Sequence, residues 1–342
     1  MRKIQLDGLR FFSFVGIFMY HTDLKRFWFG SYASPLFFVL SGFLITGLFI
    51  DDFHGEIRLK RFYLRRFFKI IPQYYLAVIA GLIIYAATGA PFERSRVLSY
   101  FFLYQNYVLP LPVLTHLWSI AVEEHFYLLY PLLLMLACRL FPDFPRRKNF
   151  LIASFIFLIA VANALRASEF ILYRYHGLST LVLAQPTHVR FDGLMFGCLL
   201  RFLEPHFRKM FSTDGGRWLP ALCFIAGTLI FISFYTEFDP RGWSDYTLLY
   251  MAAGFLVVSS LGDFAPMKLF TENRLMRTIG RNSYAIYLWH YLLLFPFVLF
   301  YTRSGKNPAV IVIYFFTAIL AGIVSTATVE RFFLDVRRKV AP

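Results

Sequence analysis

Arg10 and His21 are the first residues of the chain whose types and spacing could support acid-base chemistry. They stand at the two ends of an apolar run. In an α-helix that spacing is three turns plus roughly 20°, so both side chains would share one face, about 16 Å apart along the axis. Ionisable groups inside a membrane are functional candidates by default. The imidazole could therefore act as a base, or it could simply hydrogen-bond a neighbouring helix.

The composition indicates a polytopic membrane protein. Of the 342 residues, 58% are hydrophobic, 16% are charged and 43 are Phe, whereas soluble domains average about 25% charged residues. The formal net charge of +15 suits cytoplasmic loops and anionic membrane lipids, so we expect no nucleic-acid partner. The three cysteines and the histidines show no metal-ligand spacing, and we expect no catalytic metal.

Apolar stretches of about 20 residues mark the predicted membrane spans. We predict an all-α polytopic membrane protein with about ten transmembrane helices, forming one integral-membrane domain over residues 1–342 with no fused extracytoplasmic domain. A shorter apolar segment near 97–112 contains Pro110 and Pro112, which favours a broken or re-entrant piece. The predicted spans are residues 9–27, 32–50, 72–89, 117–138, 149–166, 186–203, 218–235, 245–261, 282–301 and 308–328.

The distribution of basic residues predicts the orientation. If the 97–112 segment does not cross the membrane, most of the 35 Lys and Arg residues fall in the loops on the side of both termini. The positive-inside rule then makes that side the cytoplasm. The loop 51–71 is the most charged part of the chain, and Pro72 after it would open the next span. The longest outside connection, residues 167–185, is expected to be plain loop.

Polar side chains can be ranked by depth at 1.5 Å per residue from the predicted span ends. His21 comes out roughly 18 Å and Glu123 roughly 21 Å from the cytoplasmic side, with Asp192 near the same depth. Ser41 and His290 follow at roughly 12–17 Å. We expect these residues to form a layer in which Glu123 orients His21, since a carboxylate beside a histidine fixes its tautomer.

Structural roles compete with functional ones for some of these side chains. Arg190 and Asp192 could form an ion pair whose only role is structural, and His290 could be an interhelical hydrogen bonder. His116 and the remaining histidines lie near helix ends or in loops, without metal-ligand spacing.

Arg65, Arg66 and Lys69 would cluster on one side of a helix, because residues three and four apart are neighbours there. This basic cluster has two interpretations. It could be a topology signal that also binds lipid headgroups, or it could hold an anionic phosphate-bearing cofactor.

Motifs spread over nearly the whole chain resemble the membrane-bound acyltransferase family 3. Each of them is short, but they occur in the family's order. They are LDGLR at 6–10 with His21, FFVLSGFLIT at 37–46, the basic segment 62–72, LWS and VEE with FY at 117–127, the SY and YLWH residues at 283–290, and Glu330-Arg331.

The resemblance implies transfer of an acyl group, commonly acetyl, from cytoplasmic acyl-CoA to a hydroxyl of an extracytoplasmic or exported glycan or lipid-linked saccharide. The membrane would be a bacterial inner membrane. His21 would be the catalytic histidine, while Arg10 and the basic cluster would hold CoA. Lys69 departs from the family's usual arginine, and a lysine lacks the bidentate fork for phosphate.

Two points stay open at the level of sequence. His21 could take the proton of the acceptor hydroxyl as a general base, or it could carry the acyl group as an acyl-histidine. A transporter or flippase is the alternative function, because midplane charges and broken helices also mark carriers.

Overall fold

The structure is a computed structural model that describes residues 4–22, 33–50, 58–176, 185–234 and 243–340. All regular secondary structure in these ranges is helical. Five helical stretches within them are long and apolar enough to cross a membrane, and three shorter helices are mainly apolar. The predicted class, an all-α polytopic membrane protein, is confirmed, whereas the number of spans stays a prediction.

Each predicted span overlaps a helix, although the limits differ at several places. In the first half of the chain the helices are α1 (Ile4–His21), α2 (Ser34–Phe49), α3 (Leu59–Ala87), α4 (Arg94–Phe101), α5 (Trp118–Leu140) and α6 (Phe144–Tyr175). In the second half they are α7 (Asp192–Phe211), α8 (Leu219–Ser233), α9 (Asp245–Ser259), α10 (Ala265–Thr271), α11 (Arg274–Arg281), α12 (Ser283–Arg303), α13 (Pro308–Ser325) and, after a π-helical turn at Thr326–Glu330, α14 (Arg331–Val340).

The segment near 97–112 is broken, as predicted. Helix α4 ends at Phe101, and two short 3₁₀ helices, Gln105–Tyr107 and Pro112–Leu117, lead into α5. Proline lacks a backbone N–H and fixes φ, so a continuous α-helix is disfavoured at this point. The irregular path brings residues of the second 3₁₀ helix against α3 and α12.

Several predicted helix limits were wrong. Pro72 lies inside α3 and does not open it, since neighbouring groups in a membrane bundle can satisfy the carbonyl that a proline frees. Residues 167–175 belong to α6 and are not loop; residues 177–184 lie outside the described ranges. Helix α7 begins at Asp192 instead of residue 186, because a 3₁₀ helix, Thr187–Val189, precedes it.

Helix α2 lies at the centre of the bundle, with most of its residues buried. It packs closely on α7 because both helices present glycine at the crossing. A Cβ on Gly42 would lie 1.9 Å from the carbonyl oxygen of Leu194, and one on Gly197 would lie 2.1 Å from that of Val39. Only glycine permits such an approach. The crossing fixes the rotation of α2 and thus the direction of Ser41.

Candidate active site

A cavity opens between α1, α2, α3, α5, α12 and the π-helical turn after α13, and its empty space, counted together with the open solvent at its mouth, is about 870 Å³. Its two ends differ in chemistry, with mostly basic side chains at one and mainly apolar and small polar ones, with a single carboxylate, at the other. The basic end is lined by Arg10, Arg66, Lys69, Arg281 and Glu330, and the other end by Ile17, Ser34, Phe37, Phe38, Ser41, Ser119, Ile120, Glu123 and Tyr287.

The basic end carries more positive than negative charge. The Arg66 guanidinium lies 4.4 Å from the centre of the Tyr127 ring. Lys69 Nζ lies 4.0 Å from Glu330 Oε1, with 48% of the lysine side chain exposed. Arg65 lies on the exposed side of α3 and is not among the described residues that line the cavity. Of the predicted basic cluster, therefore, Arg66 and Lys69 reach the cavity.

Glu123 is held in the cavity wall by two hydroxyl groups. Ser41 Oγ donates to Glu123 Oε1 at 3.0 Å, and Tyr127 Oη donates to Glu123 Oε2 at 2.8 Å. Tyr127 is one helical turn after Glu123 on α5, so the two side chains share a face. Residues from α2 and α5 that are distant in sequence thus meet at the cavity wall.

His21 and His290 form a hydrogen-bonded pair whose tautomers follow from their acceptors. His290 Nδ1 lies 2.6 Å from the Tyr287 carbonyl oxygen, so this nitrogen carries the proton and donates. His290 Nε2 then carries the lone pair of the ring and accepts a hydrogen bond from His21 Nδ1 at 2.9 Å. In the neutral ring, His21 Nε2 is left with a lone pair and can act as a base.

The expectation that Glu123 orients His21 was therefore wrong. The ring nitrogen that an orienting group would hold, His21 Nδ1, is bonded to His290. The two rings also stack, with centroids 5.1 Å apart and planes inclined by 25°. Depth along a helix could be counted from the sequence, but the direction of each side chain around the axis could not.

The described lining of the cavity reaches neighbours of the histidine pair but not the pair itself. Ile17 and Tyr287 line the cavity, whereas His21 and His290 are not among the described residues of its lining. Ile17 lies one turn before His21 on α1, and Tyr287 binds His290 through its carbonyl. The pair thus lies directly behind these two residues.

Arg190 and Asp192 do not form the predicted ion pair with each other. Asp192 pairs with Arg166 at 2.7 Å, and each of these two side chains is 1% exposed. The Arg190 guanidinium lies 3.9 Å from the centre of the Tyr246 ring and 5.4 Å from that of Trp118. Both residues belong to a separate buried cluster around the start of α7, outside the described lining of the cavity.

His116 is a neighbour of the site that sequence reasoning missed. It is 2% exposed, and its ring centroid lies 5.6 Å from that of His290. Its Nε2 donates to the Leu288 carbonyl at 3.2 Å, and its buried Nδ1 has no partner in the described part of the chain. Its position just before the LWS motif was the available signal.

Comparison with known protein families shows which family the chain belongs to. A family model described as an acyltransferase domain matches residues 3–327. The chain belongs to the acyltransferase 3 family. The match spans every residue of the cavity lining up to Thr326, so the family assignment covers the histidine pair and the basic residues.

Curated relatives of this acyltransferase 3 protein are O-acetyltransferases. A peptidoglycan O-acetyltransferase, OatA, of Listeria monocytogenes is 28% identical over 84% of the chain and 48% of its own length. The O-acetyltransferase OatA of Staphylococcus aureus is 27% identical over 93% of the chain and 55% of its own length. The chain thus spans about half the length of these relatives. No solved structure matches it.

Proposed function

We propose that this acyltransferase moves an acyl group, acetyl in the first instance, from cytoplasmic acyl-CoA to a hydroxyl of an extracytoplasmic or exported glycan or lipid-linked saccharide. The observation that carries the proposal is the single cavity whose lining includes both Arg66 and Lys69 and Ile17, the residue one turn before His21 on α1. One end offers cations for phosphate groups, and the other adjoins an imidazole with a lone pair. The family match supports acyl transfer over transport.

The basic end would hold the donor. Arg10, Arg66 and Lys69 supply charged donors for the phosphates of CoA, and charge-assisted hydrogen bonds to phosphate are stronger than neutral ones. Arg281 is already bonded to Asp7, with 3.2 Å between Nε and Oδ2, so it would add charge but not a full set of donors. This end lies where α1, α3 and α12 begin, which the positive-inside rule assigns to the cytoplasm together with both termini.

The histidine pair would carry the proton. His21 Nε2 takes the proton of the acceptor hydroxyl, and the alkoxide oxygen attacks the thioester carbonyl. The C–O bond of the ester forms as the C–S bond breaks, and the CoA thiolate leaves and recovers the proton from His21. His290 Nε2 keeps accepting from His21 Nδ1 throughout and stabilises the imidazolium. A route through acyl-His21 uses the same atoms in two steps.

The acceptor is the least constrained part of the proposal. One relative's name specifies peptidoglycan as its substrate, which supports a cell-envelope glycan and a bacterial inner membrane as the place of action. At the end of the cavity near the histidine pair, a hydroxyl compound could form hydrogen bonds with Ser41, Ser119 and Glu123.

The test uses the full chain in lipid nanodiscs with radiolabelled acetyl-CoA and, in cells, the alkali-labile acetate of envelope glycans. His21→Ala should lower acyl transfer by about 10²-fold or more, the usual contribution of a positioned general base, while the protein still retains CoA. His206→Ala, an exposed histidine of α7, is the matched control and should be unaffected. Full transfer by a well-folded His21→Ala variant would refute the proposal, and a carrier would retain no CoA.

A further inference from the structure

We infer that Ile17 separates the donor cavity from His21 and determines which acyl groups reach the imidazole. The inference rests on the proposed function and assigns a role to a residue that is not itself polar. Along α1 and α12 the described lining includes Ile17 and Tyr287 but not His21 or His290, although the base that needs the thioester lies one turn beyond Ile17 on α1.

The positions of Arg10, Ile17 and His21 on α1 define the path. Arg10 and Ile17 both line the cavity, and His21 lies one turn beyond Ile17, about 6 Å further along the axis. Residues four apart on a helix share a face. Arg10, Ile17 and His21 therefore lie on one face of α1. On this face Ile17 is the lining residue that precedes His21.

Tyr287, the other half of this wall, is fixed by hydrogen bonds. Its carbonyl accepts from His290 Nδ1 at 2.6 Å, its hydroxyl donates to the His116 carbonyl, and Ser119 Oγ donates to its hydroxyl at 2.9 Å. Moving the ring would break the two hydrogen bonds of its hydroxyl, to the His116 carbonyl and to Ser119 Oγ.

Ile17 is held by packing alone. Its side chain is apolar and 6% exposed, so a rotation about its side-chain bonds breaks no hydrogen bond. Of the two wall residues it is thus the one that can yield to the arriving thioester. An acyl group carried through the cavity meets Ile17 first, and the space beside this side chain limits its length.

The experiment compares acetyl-CoA with butyryl-CoA as donors for the full chain in nanodiscs, with ester formation and CoA release as readouts. Ile17→Ala should raise the ratio of butyryl to acetyl transfer by about tenfold or more, since one or two methylenes in an apolar pocket discriminate by that order. Ile17→Phe should lower acetyl transfer while CoA retention stays at the wild-type level. Ile319→Ala truncates a buried isoleucine outside the cavity lining and should leave the ratio unchanged.

The outcomes separate this inference from the function on which it rests. If the wild type is active and Ile17→Ala keeps the wild-type ratio of butyryl to acetyl transfer, the inference alone is overturned. The same holds if Ile319→Ala changes this ratio as much as Ile17→Ala does. A wild type that transfers neither acyl group would overturn the proposed function and the inference together. Ile17→Val, a smaller truncation, should shift the ratio in the same direction as Ile17→Ala and serves if the alanine variant fails to fold.

Discussion

The two ends of the cavity are built on opposite principles. At the histidine end, His21 and His290 are joined at 2.9 Å, and His290 is held at 2.6 Å by a backbone carbonyl of its own helix. At the basic end, Lys69 is half exposed and 4.0 Å from Glu330. One end fixes a single geometry, whereas the other offers long charged side chains that adjust to a ligand.

This difference indicates how the two ends divide the work. Rigid, mutually bonded groups suit a proton transfer, in which small displacements are costly. Adaptable cations suit the phosphates of a donor, which differ little between the bound substrate and the transition state. Substitutions at the histidine end should therefore lower kcat, and those at the basic end should raise the KM for the donor.

After removal of the base His21 itself, the largest effect is expected at His290. In His290→Asn the shorter side chain can still donate to the Tyr287 carbonyl but cannot reach His21, so the orientation of the base is lost. We expect kcat to fall by about 100-fold, the usual penalty for a displaced catalytic group, with the KM for acetyl-CoA unchanged. Steady-state kinetics of the nanodisc protein measure both.

His290→Gln is the matched variant for this prediction. Its amide oxygen can occupy the position of Nε2 and accept from His21 Nδ1, so most of the activity should return. Equal losses in the asparagine and glutamine variants would mean that His290 is only a packing residue. A rise in KM without a fall in kcat would contradict the proposed division between the two ends.

An intermediate effect is expected at Arg66. Replacing it with glutamine removes one cation from the cavity lining, and the hydrogen bonds of a charged group contribute about 1.5–3 kcal/mol. The KM for acetyl-CoA should rise by about tenfold, with kcat nearly constant, and its dependence on salt should weaken. Arg338→Gln, on exposed α14, is the control and should change neither constant. A fall in kcat as large as that in His290→Asn would assign Arg66 to the chemistry.

The all-α class and the approximate places of the helices could be predicted from the sequence, because both follow from counting residues along apolar stretches. Arg10 and His21 lie on one helix, α1, and Ser41 meets Glu123 from a helix far away in sequence. A rise of 1.5 Å per residue and the apolar span lengths were sufficient for that. The broken segment before α5 was predictable from its prolines.

Rotation about each helix axis could not be predicted, because it depends on packing between helices. Asp192 bonds to Arg166, the last residue of the predicted span 149–166. The orienting partner of His21 is His290 and not Glu123. Close crossings such as that of Gly42 with Leu194 set these directions, and one sequence alone does not show which glycines meet which helix.

The smallest effect is expected at Glu330, where the adaptable end carries a carboxylate of its own. The π-helical turn Thr326–Glu330 contributes both of its end residues to the cavity lining, and such turns are frequent at functional sites. Gln73 Nε2 donates to Glu330 Oε2 at 2.9 Å, while Lys69 lies 4.0 Å from Oε1. Glu330→Gln keeps the size of the side chain and removes a negative charge from a site for phosphates.

Because exposed ion pairs contribute only about 0.2–1 kcal/mol, the KM for acetyl-CoA should fall by about twofold in Glu330→Gln, and kcat should not change. The double variant Lys69→Ala with Glu330→Gln is the control, in which the gain should disappear because no freed cation remains. A several-fold rise in KM would have the opposite meaning: Glu330 would then position Lys69 for the donor, and the basic end would be as preorganised as the histidine pair.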